Sequence, residues 1–176
     1  MRFTASGIEG VVIVDLESLV DERGSFARLH CPEEFAAAGH PFTPLQTSLS
    51  RNAKAATLRG MHYEAAPHEE AKLVRVTRGA IFDVAVDLRP ASPTYRQWTG
   101  TELSAENGRA LLIGRGLAHG FITLADDTDV LYQIDAIFQP GHGLGVRWND
   151  PAFGIEWPLA PQVMSDRDAT YPDLEQ

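Results

Sequence analysis

An arginine, a glycine and a histidine interrupt a stretch of the chain that otherwise has the composition of a β-strand. The stretch reads TLRGMHY at residues 57–63, and the three residues are Arg59, Gly60 and His62. Strands favour β-branched and aromatic residues, and a glycine inside one often marks a place where a ligand or another backbone comes close. In a regular strand alternate side chains point to opposite faces, so this pattern predicts Arg59 and His62 on different faces.

A second histidine, His119, lies in GRGLAHGFITL, again beside glycines and before an apolar run. Together, HxE at 62–64 and GxGxxHG at 114–120 loosely resemble the two metal-binding motifs of cupins, which are small double-sheet barrels. The two histidines and Glu64 would supply three of the three or four donors that a typical site needs. The ammonium of Lys72 would oppose a cation nearby, so we expect no metal site. One alternative is a metal-dependent cupin enzyme. The other is that both histidines lie at the surface or are hydrogen-bonded core residues without a chemical role.

Composition and charge limit the other classes of protein. The 176 residues suit one domain, predicted to span 1–176. A net charge of −9 argues against a broad grip on nucleic acid, although a few arginines can still converge on a local anion. No apolar run approaches the roughly 18 residues of a membrane span, and the start lacks an apolar block typical of a signal peptide. The single cysteine, Cys31, excludes an internal disulfide and favours the cytoplasm.

The candidate residues require a scaffold of many short strands separated by glycine- and proline-rich turns, which is typical of an antiparallel sandwich or barrel. We expect the first half-dozen residues to fray, one helix over PEEFAAAGH at 32–40, and an extended tail with at most one short helix. The sequence predicts strands in the segments 8–15, 19–26 (with a turn at Arg23–Gly24), 45–51, 57–63, 72–79, 80–89, 97–104, 109–114, 117–125 and 129–138.

Most of the chain, from about residue 8 to residue 168, resembles the dTDP-4-dehydrorhamnose 3,5-epimerase family. The motifs that carry the resemblance are TLRGMHYEAAPHEEAKLVRVTRGAIFDVAVDLRPASPTYRQWTGTELSAEN, GLAHGFITLADDTDVLYQIDAIFQP and GVRWNDPAFGIEWP, in the family's order. The resemblance implies an all-β, jelly-roll (cupin-like) double-sheet barrel with a few short helices. It also implies a homodimer, no metal and no organic cofactor, and a nucleotide-linked 4-keto-6-deoxy sugar as substrate.

Epimerisation beside a ketone needs a base, an acid on the opposite face of the sugar, and groups that hold the enolate oxygen. The resemblance implies that His62 is the base and that Asp168, in SDRD, orients it by accepting its other N–H. Tyr132, in VLYQI, corresponds to the acid on the other face. Lys72 matches the cation that stabilises the enolate, and His119 is placed to bind the substrate and assist.

Other positions match residues that bind the rest of the substrate. Arg59 matches a diphosphate ligand, because a guanidinium can donate paired hydrogen bonds to phosphate. The remaining matches are further phosphate contacts and pocket residues around the nucleotide and sugar: Arg23, Arg167, Phe26, Gln46, Phe121 and Phe138.

Several positions around the pocket depart from the family's pattern. Members commonly have Asn at Ser48, Gln at Glu64 and Glu70, and Pro at Gly114, and they typically have Tyr where this chain has Phe138. The changes lie outside the base and acid, so they concern the identity of the nucleotide sugar and the number of centres inverted.

The predicted function is therefore a cofactor-independent epimerase that acts on dTDP-4-keto-6-deoxyglucose at C3 and C5. An alternative within the same class inverts only C3 or only C5 of a related dTDP-deoxysugar in a secondary-metabolite pathway. A metal-dependent cupin and a non-catalytic sugar-nucleotide binding module are alternatives from other classes. The expected partners are the dTDP-linked sugar and a second copy of the chain, with no nucleic acid and no membrane.

Overall fold

Two packed antiparallel sheets and a separate hairpin make up the protein in the computed structural model, which describes residues 1–174. The last two positions of the predicted domain, 175–176, lie outside the described residues. The strands, in chain order, are β1 (Arg2–Ala5), β2 (Val11–Asp15), β3 (Leu19–Asp21), β4 (Gly24–Phe26), β5 (Gln46–Asn52), β6 (Leu58–Glu64), β7 (Lys72–Arg78), β8 (Ala80–Asp87), β9 (Trp98–Ser104), β10 (Ala110–Ile113), β11 (Leu117–Thr123), β12 (Thr128–Ile134) and β13 (Gly143–Gly145).

The first sheet has six strands in the order β1-β2-β10-β7-β12-β5, and the second has five in the order β13-β6-β11-β8-β9. Every strand pair in the two sheets is antiparallel. Neighbours that are distant in the chain, such as β10 beside β2, give the crossed connections of a jelly roll. The predicted all-β double-sheet fold is confirmed.

The main core fills the space between the inner faces of the two sheets. Val74 and Val130 of the first sheet pack there with Ile81, Ala85 and Phe121 of the second, and each is fully buried or nearly so. The period of two in β7 and β8 produces this core, because alternate residues turn apolar side chains inward. Any polar side chain in phase with these residues must therefore face the interior of the barrel.

The outer face of the first sheet is covered by a short helix, α1 (Pro32–Ala37). Its one buried residue, Phe35, packs in a second cluster with Phe42 and Leu73. The predicted helix over 32–40 is confirmed at its start but ends earlier, because Gly39 has φ +83°. The tail contains a second helix, α2 (Asp166–Ala169). In residues 1–174, no helix is long and apolar enough to cross a membrane.

Two elements were not predicted. The expectation that the first residues fray is wrong, because β1 pairs along β2 and Phe3 packs edge-on against Phe35, with ring centroids 4.9 Å apart. Strand β13 follows the turn QPGHG and pairs with β6, placing Gly145 opposite His62. Both elements consist of residues whose place in the fold depends on a partner far away in the chain.

Candidate active site

A bulge at Gly60 brings Arg59 and His62 to the same face of strand β6. His62 pairs with His119 and Arg59 pairs with Phe121 on β11, so three steps along β6 match two steps along β11. The predicted placement of Arg59 and His62 on opposite faces is wrong for this reason. Gly60 has φ +144°, and a Cβ there would lie 2.5 Å from the Cα of Gly120, so only glycine fits this close approach.

His62 forms a hydrogen-bonded pair with Asp168. The ring Nε2 lies 2.7 Å from Asp168 Oδ1, and the second carboxylate oxygen accepts the backbone N–H of Gly60 at 3.3 Å. Helix α2 places this carboxylate, because the Ser165 hydroxyl caps the helix by accepting the Asp168 N–H at 3.1 Å. Asp168 is buried, whereas the side chain of His62 is 40% exposed, so the imidazole stays accessible to a ligand.

The charge on Asp168 determines how His62 is protonated. Burial would raise the pKa of Asp168, but the hydrogen bond and charge of His62 and the Gly60 N–H outweigh it, so this pKa lies below its ordinary value. An ionised carboxylate can only accept hydrogen bonds. Nε2 of His62 must therefore carry a proton, and in the neutral imidazole Nδ1 keeps the lone pair that a general base needs.

Tyr132 lies on the inner face of the first sheet, across the barrel from β6. It packs against the main core, and its strand position is directly opposite Val74 of β7. Burial raises the pKa of the Tyr132 phenol well above its ordinary value, the Asp83 carboxylate adds to that rise, and Arg59 opposes it. The phenol is thus held in its protonated form.

His119 connects the two sides of this interior. It sits directly opposite His62 on the neighbouring strand, and its ring meets the ring of Tyr132 edge-on with centroids 5.9 Å apart. Its Nε2 lies 2.7 Å from Asp83 Oδ1, and both side chains are buried. His62, His119 and Tyr132 therefore face a common interior from two sheets.

Lys72 starts strand β7 and shares the inner face with Tyr132. Its backbone is opposite Ile134, two residues from Tyr132, which makes Lys72 and Tyr132 diagonal neighbours at roughly 7–8 Å. A small cavity lined by both His62 and Lys72 also contains Glu70 and the side chain of Arg167. The Lys72 ammonium lies 2.9 Å from Glu70 Oε1. The imidazole and the ammonium can thus reach one bound ring.

The other predicted binding residues divide into two groups. Arg59 is exposed and donates from Nε to Asn52 Oδ1 at 2.8 Å, which leaves the outer part of its guanidinium free to meet an anion. Gln46 lies level with Lys72 across β12, and its Oε1 accepts the N–H of the exposed Phe138 at 3.1 Å. Phe121 is fully buried beside His119, so it supports the wall of the site from within the core.

Arg23 and Phe26 are not brought to the His62 cavity. They lie on the hairpin of β3 and β4, where Phe26 is 74% exposed, and they line a separate groove. Arg23 pairs with Asp21, whose Oδ2 is 2.5 Å away. Within residues 1–174, the two strands of this hairpin pair only with each other.

Three functional neighbours were missed from the sequence. Asp83 is a single carboxylate inside the apolar run AIFDVAVD, and a charged residue in a buried strand is a sequence signal for a functional role. Asn52, which holds Arg59, carries no such signal. Tyr171 packs edge-on against His62 with ring centroids 5.9 Å apart, over Gly145, where a Cβ would clash with its ring. Burial raises the pKa of Tyr171.

The histidines of the two cupin-like motifs are each hydrogen-bonded to a different carboxylate, and their ring nitrogens do not converge as the ligands of one metal ion would. His62 pairs with Asp168 and His119 with Asp83. Among the described residues 1–174, no three His, Cys, Asp or Glu side chains are grouped closely enough to hold a metal ion.

Two imidazole–carboxylate pairs, a phenol and an ammonium face the interior of this double-sheet barrel. Such a set of groups is typical of small acid–base enzymes. Comparison with known proteins identifies the particular family. Residues 5–176 match the family model described as dTDP-4-dehydrorhamnose 3,5-epimerase, and the chain belongs to this family.

Curated and solved relatives agree over nearly the whole chain. The dTDP-4-dehydrorhamnose 3,5-epimerase of Sinorhizobium fredii is 40% identical over 175 residues, which cover 99% of this chain and 90% of the relative. The Bacillus anthracis enzyme of the same name, solved with TDP and PPi bound, has a TM-score of 0.95 at 37% identity, covering 98% of this chain and 99% of that one. The dTDP-6-deoxy-D-glucose-3,5-epimerase of Legionella pneumophila, in complex with dTDP-4-keto-L-rhamnose, has a TM-score of 0.91 at 35% identity, with 98% and 92% covered.

Proposed function

We propose that this chain is a cofactor-independent epimerase that converts dTDP-4-keto-6-deoxyglucose into dTDP-4-keto-L-rhamnose by inverting C3 and C5. Relatives that match nearly all of the chain carry this activity in their names, and one of them holds dTDP-4-keto-L-rhamnose. The observation that carries the proposal is the 2.7 Å pair of His62 and Asp168 at a cavity that also contains Lys72.

His62 acts as the base in the first step. The ketone at C4 acidifies the hydrogens at C3 and C5, and Nδ1 of His62 takes one of them as a proton while the C–H electron pair moves into the enolate. The imidazolium that forms is stabilised by Asp168, which is ionised and already bound to Nε2. The protein gains one positive charge in this step and the bound sugar gains one negative charge, and the new imidazolium is paired with the carboxylate that was already there.

Lys72 stabilises the enolate oxygen. Its side chain is 12% exposed, so little water competes for the donors of the ammonium, and a hydrogen bond to a charged oxygen is strong in such a place. His119 assists from the neighbouring strand, where its Nε2 is held by Asp83. These contacts act on charge that develops only during proton removal, which is the requirement for catalysis.

Tyr132 returns a proton to the opposite face of the carbon. It stands on the sheet facing β6, so a ring bound between the two sheets presents one face to His62 and the other to Tyr132. The raised pKa of Tyr132 means that the phenol carries its proton at neutral pH. Proton removal from one side and delivery from the other inverts the centre.

Arg59 and Arg167 bind the diphosphate, and Gln46, Phe121 and Phe138 bound the pocket for the nucleotide and sugar. Arg59 is held by Asn52, while Arg167 donates to the Gly143 carbonyl at 2.8 Å beside the cavity of His62. A fixed guanidinium loses less conformational freedom when it binds phosphate.

We also propose that the active form is a homodimer in which the hairpin of one copy reaches the site of the other. Leu19, Val20 and Phe26 are between 74% and 77% exposed on this hairpin, an unusual amount of apolar surface for a stretch of eight residues. Arg23 and Phe26 would then contact the substrate in the partner's site. A single domain and a location in the cytoplasm stay predictions of the sequence.

The test is solvent deuterium exchange, followed by NMR with dTDP-4-keto-6-deoxyglucose in D₂O. The proposal predicts deuterium at both C3 and C5, and loss of exchange at both in His62→Ala. Deuterium at one centre alone would identify a single-centre epimerase, and a folded protein that binds dTDP without any exchange would refute the enzymatic function.

A further inference from the structure

Glu70 and Lys72 form an ion pair inside the cavity of His62. Glu70 Oε1 lies 2.9 Å from Lys72 Nζ, and the two side chains are 11% and 12% exposed. Glu70 lies two positions before Lys72, just outside strand β7, and the ion pair brings the two side chains together. The roles assigned above to His62, Lys72 and Tyr132 give Glu70 no function.

The backbone between the two residues is fixed on both sides. Asp135 Oδ1 accepts the Ala71 N–H at 2.7 Å, and the Asp135 N–H donates to the Ala71 carbonyl at 3.2 Å. Arg115 holds the second oxygen of Asp135 at 2.6 Å. With Ala71 clamped, the direction of the Lys72 ammonium depends mainly on what its own side chain contacts.

Glu70 supplies that contact. A lysine side chain has four rotatable bonds, and an ammonium has three donors that can point in many directions. One donor bound to Glu70 fixes the orientation of the other two. The other lysine of the sequence, Lys54, shows the contrast, since it is 70% exposed and 3.6 Å from Asp126.

We propose that Glu70 is a positioning residue that holds the Lys72 ammonium in the orientation that stabilises the enolate. The proposal rests on the function proposed above for Lys72. Glu70 acts through Lys72 and takes no part in the proton transfers. The acceptor oxygen of Glu70 sets the direction of the Lys72 ammonium, so the loss of that oxygen lowers kcat while KM changes little.

Two substitutions separate the position of the acceptor from its charge. Glu70→Asp keeps the charge and withdraws the acceptor by one methylene, whereas Glu70→Gln keeps an acceptor oxygen in place and removes the charge. We expect Glu70→Asp to lower kcat on the order of 10- to 100-fold, as a displacement near 1 Å can do. Glu70→Gln should retain kcat within about threefold and show a near-normal KM. Glu69→Asp is the matched control and should resemble the wild type.

NMR of protein labelled with ¹³Cε-lysine gives a second readout that needs no turnover. The sequence contains two lysines, and Lys54→Arg assigns their signals. In the wild type and Glu70→Gln, a fixed Lys72 should show two inequivalent ε protons. In Glu70→Asp they should average to one signal, as those of exposed Lys54 do throughout.

The two measurements decide the proposal. The proposal is overturned if Glu70→Gln lowers kcat as much as Glu70→Asp does, or if neither variant lowers kcat. It is also overturned if the Lys72 signal in Glu70→Asp is the same as in the wild type. Deuterium exchange by the wild type is measured in the same experiment. Its absence would refute the proposed function, whereas normal wild-type exchange with an unimpaired Glu70→Asp would refute only the role of Glu70.

Discussion

Replacing Asp168 by asparagine tests the base of the proposed mechanism most directly. The change keeps the size of the side chain and removes the charge that binds Nε2 of His62 at 2.7 Å. A hydrogen bond to a charged group contributes about 1.5–3 kcal/mol, which corresponds to roughly 10- to 150-fold in rate. Because the imidazolium forms only during proton removal, this loss should appear in kcat.

A second effect adds to the first. An asparagine amide can donate to Nε2, which the aspartate cannot, and this would favour the tautomer with its proton on Nδ1. The base would then lack its lone pair. An Asp-to-Asn change in another imidazole–carboxylate pair lowers kcat roughly 10⁴-fold for this reason. We therefore expect Asp168→Asn to reduce kcat by about two to four orders of magnitude.

The assay is the rate of deuterium incorporation at C3 and C5 with saturating dTDP-4-keto-6-deoxyglucose. Asp166→Asn is the matched control, since Asp166 is exposed on the same helix and does not contact His62. Its rate should equal that of the wild type. If Asp168→Asn stays folded and exchanges within twofold of the wild type, the imidazole needs no carboxylate and the assignment of the base is wrong.

The same carboxylate gives a pH prediction for stability. The pKa of folded Asp168 lies below its ordinary value of 3.8, so its ionised form stabilises the fold above that pH. This contribution is lost as the pH falls through the folded-state pKa. The Tm of the wild type should exceed that of Asp168→Asn at neutral pH, and the difference should shrink below pH 3.8. A difference that grows on acidification would contradict the sign of this argument.

Three further predictions concern the other parts of the site. Tyr132→Phe should keep deuterium exchange at the carbon that His62 deprotonates and lower the rate of inversion about 100-fold; equal rates of exchange and inversion would exclude Tyr132 as the acid. Arg59→Lys should raise the KM for the dTDP-sugar about tenfold with little effect on kcat, and an unchanged KM would place the diphosphate elsewhere. Phe26→Ser should shift sedimentation from dimer towards monomer and raise KM, and a variant that stays dimeric with normal kinetics would refute the role of the hairpin.

The sequence predicted the strands well where one residue in two is apolar. The alternation in KLVRVTR places Leu73 and Val74 on opposite faces, and both are buried because α1 covers the outer face while the second sheet covers the inner one. Alternation identifies the strand and its two faces. It carries no information about which distant strand will pair with it, so it does not predict β1, whose Phe3 packs against the distant Phe35.

The site was harder to predict, because its geometry depends on irregular features. A period of two placed Arg59 and His62 on opposite faces, and the bulge at Gly60 reversed that result. The sequence marks Gly60 as unusual in a strand, but the reason for it is the close approach of the Gly120 Cα, sixty residues further along the chain. Asp83 was detectable as a charge in an apolar strand. Asn52 and Tyr171 were not, since neither residue type is unusual where it stands.

The division of the polar groups between the two sheets explains why this fold suits inversion at carbon. His62 and His119 lie on neighbouring strands of one sheet, and Lys72 and Tyr132 lie on neighbouring strands of the other. The faces of packed sheets are about 10 Å apart, so a ring bound between them lies within reach of side chains from both sheets. Each sheet is rigid because its strands are paired on both sides at these positions. A base and an acid attached to one sheet would reach the same face of the ring, so inversion requires the second sheet, and the core that joins the sheets sets the distance between the two proton transfers.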